Sequence, residues 1–476
     1  MTLPGNTMTI RQDGLNVTEP LTDVPVFYGY SSLGTADTVY RFTDSAAVKD
    51  TLGHGPLVED AAMYLDLVGG TVICIPSQAS TAGANGTVTQ SGGGPTVSVD
   101  SGTPNDAYDV KIQITLGGAL GTGKYKYSLD GGRTYSQEYT LPSGGTKTLT
   151  NTGVTMDFAS GTYVVDEVYS MTCTAPTYTT SDLSDAIAAL IANGSKFAFI
   201  VLCGTHADAS TASTIKAAMD THMETLAAAF RYARYIMSAG TDAAADVLTD
   251  FTAKGNRGLA GFGDTGWVTA NPFIGWGNPD LDKTYLWHAV LAGLRTPSGN
   301  LGRVASGPLP SACNRISHDE RALASGLHEA GIATLRTFME KGVSDFFATG
   351  GPLYSAEGSD FTEWELGRVM DIACTTVAEK QVDFINRGVR INGDGTLNAK
   401  DKEALEGIVE EALDARLLQP TNDEGTQGYV SAVTYQINGL INVGATRRLQ
   451  SKVSIRPLIA IQGVDTELGY TIEQEV

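Results

Sequence analysis

Basic side chains are scarce in this 476-residue chain: 32 Lys and Arg stand against 53 Asp and Glu, a formal net charge of −21. So acidic a surface repels phosphate backbones and anionic bilayers, which argues against direct nucleic-acid binding and against membrane insertion. Cysteines are few. Cys74, Cys173, Cys203, Cys313 and Cys374 are odd in number and far apart, which excludes a disulfide framework or a metal knuckle and predicts buried thiols in a reducing cytoplasm. Long apolar runs are missing too, the longest being strand-sized and too short to span a bilayer. No basic region followed by an apolar run opens the chain, so no signal peptide is expected. The histidines, His54, His206, His222, His288, His318 and His328, lack metal-ligand spacing, and neither a Gly-x-Ser-x-Gly elbow nor a Cys-His signature occurs. Catalysis and a cofactor are not expected.

Glycine, by contrast, is abundant, and three glycine motifs imitate ligand sites. Gly261-Phe262-Gly263-Asp264-Thr265-Gly266 is a literal G-x-G-x-x-G, the basis for an alternative reading as a nucleotide-dependent α/β enzyme with a β accessory domain. Trp267, Pro272, Gly275, Gly277 and Pro279 follow, so no helix can start where a pyrophosphate needs one. Gly118 to Lys124 approaches a phosphate-binding loop, but Tyr125 stands where magnesium needs Ser or Thr, and a hairpin turn is the better account. Asn392 to Leu397 looks like the middle of an EF-hand loop, yet Arg390 at the leading ligand position repels calcium and Asp401 replaces the closing Glu. Ser128-Leu129-Asp130-Gly131-Gly132-Arg133-Thr134-Tyr135 resembles an Asp-box hairpin, in which acid and hydroxyls brace a turn.

Periodicity divides the chain. Residues 26–30, 58–68 and 71–75 read as strand, helix, strand; composition then shifts to Gly, Ser, Thr and Asn around Gly92-Gly93-Gly94-Pro95. Short strands without helical period fill 96–176, and helix and strand alternate again after Pro176. We expect an α/β and α+β multidomain fold: a helix-covered open sheet from 23–85 and 177–355, an inserted all-β module over 86–176, and an α+β C-terminal domain over 356–463. That last domain should open on a long helix capped by Ser359, followed by a helix from Asn398. A surface-binding role for the β module, as an adhesin, is a third possibility.

The two ends are the most informative parts. Met8, Ile10, Leu15 and Val17 lie in short extended pieces before Pro20 and Pro25, an N-terminal arm over 1–22. From Tyr429 the chain alternates like a sheet, with Val433, Tyr435, Ile437, Ile441, Val443, Val453, Ile455, Ile459 and Ile461 on odd positions, expected on one inward face. After Gly463 the parity flips: Val464, Leu468, Tyr470 and Ile472 are even, opposite Asp465, Glu467, Thr471 and Glu473, an arm over 464–476. Such arms can add as strands to a sheet in a second copy, with Val433, Tyr435, Ile437, Val453 and Ile455 as the receiving sheet. Strand exchange of this kind is heterologous, and heterologous contacts build rings or helical filaments.

Phe42-Thr43-Asp44, Leu52-Gly53 and Gly69-Gly70-Thr71-Val72, then Gly331 to Arg336, Thr349-Gly350, Gly358-Ser359-Asp360-Phe361, Arg368 to Asp371 and the closing stretch 433–476, resemble in their order the contractile tail sheath proteins of bacteriophages and related injection systems. The likeness covers about three quarters of the chain. Where many sheaths carry a Gly-Ala-Arg-Thr-Leu-like element, this chain reads Thr349-Gly350-Gly351-Pro352-Leu353 and lacks the arginine, which leaves that residue's role unassigned. The resemblance implies a helical homopolymer of hexameric discs around a tail tube protein, with baseplate and tail terminator proteins at its ends. The C-terminal domain would then lie inside and the β module outside, in a virion tail assembled in the host cytoplasm.

Overall fold

The structure, a computed structural model, describes residues 24–267, 283–338, 345–462 and 466. Its centre is a sheet in the order β6-β5-β4-β1-β3-β2, built from β1 (Pro25–Tyr30), β2 (Tyr40–Phe42), β3 (Val72–Ser77), β4 (Phe199–Leu202), β5 (Arg234–Ser238) and β6 (Gly258–Gly261). All neighbours are parallel except β2, which runs antiparallel to β3 at one edge. Continuous apolar runs such as Val-Ile-Cys-Ile and Phe-Ile-Val-Leu suit strands buried on both faces.

Strand alternation sends Phe27, Cys74, Phe199, Val201 and Ile236 to one face, beneath α1 (Pro56–Leu67) and α4 (Thr284–Leu294). Val26, Tyr28, Ile73, Ile200, Leu202 and Tyr235 go to the other, beneath α2 (Thr180–Asn193) and α3 (Ala209–Ala228). Local signals start and stop these helices. Pro56 opens α1, where its missing N–H is no loss; Asp182 accepts from the Thr179 N–H at 2.6 Å to cap α2; Asp208 accepts from the Thr211 N–H at 2.6 Å to cap α3.

Between β3 and α2 the chain forms antiparallel strands, the longest being Tyr108–Leu116, Lys124–Ser128 and Val168–Thr174, over a separate core that includes Tyr108, Ile112, Tyr125, Phe158 and Tyr169. Its entry and exit run side by side, Thr81 and Thr177 exchanging backbone hydrogen bonds of 3.0 and 2.9 Å. The Asp-box turn is built as the residue types require: Asp130 is buried and accepts from the Thr134 N–H at 2.9 Å, the Arg133 N–H at 3.1 Å and the Thr134 hydroxyl at 2.6 Å. Asp106 from this segment is buried near the ion pair of Lys283 and Asp60, whose Nζ and Oδ1 are 2.7 Å apart. Burial first, and Glu59 second, hold the Asp106 carboxyl well above the usual range.

Two of the glycine motifs are turns closed by local hydrogen bonds. The Gly261 turn leads into a strand, Thr265–Trp267, and is held by Thr284, whose hydroxyl donates to Gly263 O at 2.6 Å. The Arg390 N–H donates to Asp401 Oδ2 at 2.6 Å while its guanidinium grips the same carboxylate, closing the EF-like turn on itself. Among the described residues no cluster of three metal-ligating side chains occurs, and no helix is long and apolar enough to cross a membrane.

Two expectations need correction. The long helix α5 spans Trp364–Val382 and is capped at Glu363, not Ser359; Ser359 Oγ instead accepts from the Phe361 N–H at 3.2 Å in the preceding turn. The odd-position apolar series does not stay on one sheet face. Val443 lies in a short helix, Val443–Thr446, and Ile459 and Ile461 follow the last strand, 82% and 85% exposed.

Candidate assembly interface

Helix α6 (Ala399–Leu413) begins at Asn398, whose Oδ1 accepts from the Lys400 N–H at 3.1 Å. Leu405, Val409 and Leu413, four apart, are its buried stripe. They pack with Val369, Ile372 and Ala373 of α5 and with a two-stranded antiparallel sheet of β7 (Val430–Ile437) and β8 (Ser451–Pro457). Val433 pairs with Ile455 and Tyr435 with Val453. Tyr435 and Ile437 are buried; Val433, Val453 and Ile455 are half-buried. The five residues expected to form a receiving sheet therefore do share one sheet face. Met8, Ile10, Leu15 and Val17, and Val464, Leu468, Tyr470 and Ile472, lie outside the described residues.

The two edges of this sheet differ. On β7 the outward N–H groups of Tyr435 and Ile437 donate to Glu410 Oε1 at 3.3 Å and Glu406 Oε1 at 2.6 Å, both on α6. Since those residues point away from β8, antiparallel alternation makes Thr434–Ser454 and Gln436–Lys452 the hydrogen-bonded pairs. The N–H and C=O groups of Val453 and Ile455 then face outward on β8, where no strand of the described residues pairs with them. Lys452 and Arg456 stand exposed on the outer face of that strand, as do Arg447 and Arg448 in the turn before it. The inner face of β8 adjoins a groove of about 440 Å³, lined by Met370, Val377, Val382 and Ile385 from α5 and its extension, by Val453, and by Phe230.

Phe230 occupies the position just after the end of α3 with φ +58°, a left-handed conformation usually left to glycine, and is 64% exposed. A second groove, about 550 Å³, adjoins the first along α5 and shares Phe230, Tyr232, Ala378 and Val382 with it; its walls also carry the charged Lys196, Arg368, Glu379 and Arg416, with Arg416 Nη2 2.9 Å from Glu379 Oε2.

Helix α5 lines both grooves and is fastened to the central sheet. Arg234, the first residue of β5, places its Nε 3.2 Å from Asp371 Oδ2, with Arg257 Nη1 at 3.5 Å from Oδ1 of the same carboxylate. Burial lowers the Arg234 pKa and Asp371 opposes that effect. Arg368 donates to Ala198 O at the foot of β4. Past β8 the chain returns to the N-terminus of α5, where Gln462 Nε2 donates to Glu363 Oε1 at 2.9 Å. Burial, then the neighbouring Glu365, push the Glu363 carboxyl up to about 7. Sequence reasoning missed Glu406, Glu410 and Phe230. Only Phe230 leaves a trace in sequence, as a non-glycine residue where a helix stops.

A family model described as DUF2586, N-terminal domain, matches residues 7–265. No curated protein matches the sequence. Among solved structures, a chain of an extracellular contractile injection system, in the PVC sheath complex in its contracted state, is similar at 12% identity; the match covers 99% of this chain and 98% of that one, with a TM-score of 0.52. A chain of the anti-feeding prophage (AFP) baseplate in its contracted state is similar at 11% identity over 100% of both chains, TM-score 0.50. A sheath tail protein from Desulfitobacterium hafniense is 12% identical over 95% of this chain and 100% of its own, TM-score 0.47. At such identities the likeness is one of fold.

Proposed function

We propose, from the premise that this chain belongs to the DUF2586 family and has the fold of contractile sheath proteins, that it is the structural subunit of a contractile tail sheath. The observation that carries this reading is the end-to-end likeness to a chain of a contracted sheath complex, with almost nothing of either chain left over. A sheet edge that no strand of the described residues pairs with supports it, because a subunit that joins its neighbours by strand addition must offer such an edge.

In this reading copies assemble helically, as hexameric discs, around a tail tube protein, and meet baseplate and terminator proteins at the two ends. The arms over 1–22 and 464–476 complete the β7–β8 sheets of adjoining copies. Each backbone hydrogen bond so added contributes about 1 kcal/mol net, and several per arm keep neighbours joined while the α/β bodies slide past one another. The work comes from the lattice: the extended arrangement is held kinetically, and contraction increases contact between subunits and drives the tube through the host envelope. The protein then resides in a phage-type tail, assembled in the host cytoplasm. Electron microscopy of the purified protein tests this directly. Hollow cylinders with a helical repeat are expected, and a protein that remains monomeric at every concentration and salt tried overturns the reading.

A further inference from the structure

We infer that the β segment is fastened to the α/β body by a proton-dependent latch: Asp106 docks as the uncharged acid on the buried cluster of Lys283, Asp60 and Glu59, and its ionisation loosens the junction. The latch stands on the geometry of that junction, whatever the protein assembles into. Besides the two chain crossings, where Thr81 pairs with Thr177, the segment reaches the body through the loop that precedes its strand Tyr108–Leu116. A Cβ placed on Gly55, the N-cap of α1, would fall 3.3 Å from Asn105 O, so this loop rests on the turn that opens α1. Asp106 comes next and is buried, 4% exposed.

The cluster holds more acid than base. Lys283 Nζ lies 2.7 Å from Asp60 Oδ1 and 3.7 Å from Glu59 Oε2, so two carboxylates share it before Asp106 arrives. Asp60 Oδ2 accepts from the Tyr285 hydroxyl at 2.6 Å, and that hydroxyl accepts from the Gly204 N–H, just past β4, at 2.9 Å. Asp106 Oδ1 accepts from the Ala107 N–H at 2.8 Å, while its Oδ2, equally buried, has no hydrogen-bond partner among the described residues. An ionised carboxylate with one bare oxygen, shut in beside two other acids, carries a desolvation cost that its neutral form avoids. The crevice at the carboxyl ends of β1 and β4, where open α/β sheets take ligands, is thereby filled by the protein's own loop.

Five groups face Asp106: Glu59 and Asp60 of α1, Lys283 at the head of α4, Tyr30 at the end of β1, and Tyr108 on the segment's own strand. Burial first, then Glu59, raise the Asp106 carboxyl, and Lys283 opposes them. Lys283 keeps its charge, because Asp60, Glu59 and Asp106 together outweigh the effect of its burial. Both tyrosines are raised chiefly by burial and stay neutral. A carboxyl raised in this way contributes stability that is complete below its ordinary value of 3.8 and is lost as pH climbs through the docked value. Above that value the segment is held to the body by its crossings at Thr81 and Thr177.

Hydrogen exchange of the full chain tests the latch, with wild type and Asp106→Asn compared at each pH from about 5 to 9 so that the intrinsic pH dependence of exchange cancels. The isosteric amide cannot ionise. Peptides over 54–60 and 104–108 should exchange alike in the two proteins at the acid end. Past the docked value, wild type should outrun the variant by about tenfold per pH unit, as the loss of one proton requires, while Lys124–Ser128 and Phe199–Leu202 stay protected in both. Equal profiles across the range overturn the latch. So does a matching loss of protection in those two strands, which would make Asp106 a prop of the whole fold. Glu59→Gln keeps the latch testable should the amide not fold: with one neighbouring anion gone, Asp106 gives up its proton more readily, and the onset should move to lower pH. An onset that stays or moves up overturns the assignment. Whether the protein forms cylinders bears on none of these outcomes.

Discussion

Replacing glycine by alanine inside a helix normally stabilises a protein by about 1 kcal/mol, since alanine is the better helix former. Gly367, in the first turns of α5, should behave in the opposite way. A Cβ built there falls 1.7 Å from Arg234 Cζ and 1.8 Å from its Nε. Arg234 is buried, 2% exposed, and its guanidinium is confined between Asp371 and Asn256 O, so it cannot swing into solvent. Either α5 lifts from the sheet or the guanidinium leaves Asp371, and breaking a buried ion pair costs about 3–5 kcal/mol. Arg257 at 3.5 Å keeps part of the Asp371 charge compensated, which favours the lower end. Subtracting the helix-propensity gain leaves Gly367→Ala destabilised by about 2–3 kcal/mol. Urea unfolding followed by tryptophan fluorescence is a suitable assay, Trp364 lying one turn away in the same helix. A midpoint equal to or above that of the wild type would show that Arg234 has a second place to go, and the account of how α5 is fastened would be wrong.

A pH effect follows from Glu363. Its carboxyl is held near 7, above the ordinary value of 4.5, so its contribution is fully present below pH 4.5 and is lost as pH rises through 7. Glu363→Gln should flatten the stability profile of that interval by at most about 3 kcal/mol relative to wild type, read as urea midpoints from pH 5 to 8; parallel profiles refute it. In the β segment, Asp130→Ala strands the Thr134 and Arg133 donors and should cost about 2–4 kcal/mol, seen as accelerated proteolysis between Lys124 and Arg133, whereas Asp130→Asn should cost less.

The mixed α/β character could be read from sequence because buried parallel strands must be apolar throughout. Residues 71–75 and 196–203 stand out for that reason, and the observed strands, Val72–Ser77 and Phe199–Leu202, fall on or within a few residues of them. Asn398 was legible as a cap since it has a local partner, Lys400. Ser359 failed because the chain makes a separate turn before α5, and cap chemistry alone does not say which of two nearby polar residues starts the helix. Period-2 alternation placed Tyr435, Ile437, Val453 and Ile455 on one face, but it carried on past Pro457 and so could not tell sheet from exposed tail at Ile459 and Ile461. The capping of β7 by Glu406 and Glu410 was hidden, because it depends on how α6 lies against a strand 25 or more residues further on.

That unequal treatment of two neighbouring strands has a further effect on how copies can meet. Face-to-face twinning through β7 is discouraged, since its donors are occupied by carboxylates that would also repel their mirror images. Twinning through β8 brings Lys452 and Arg456 against their own likenesses. Under the proposed assembly, dead-end symmetric pairs are thus penalised on both flanks, and directional growth, with a distinguishable front and back, is the mode of association left to this sheet.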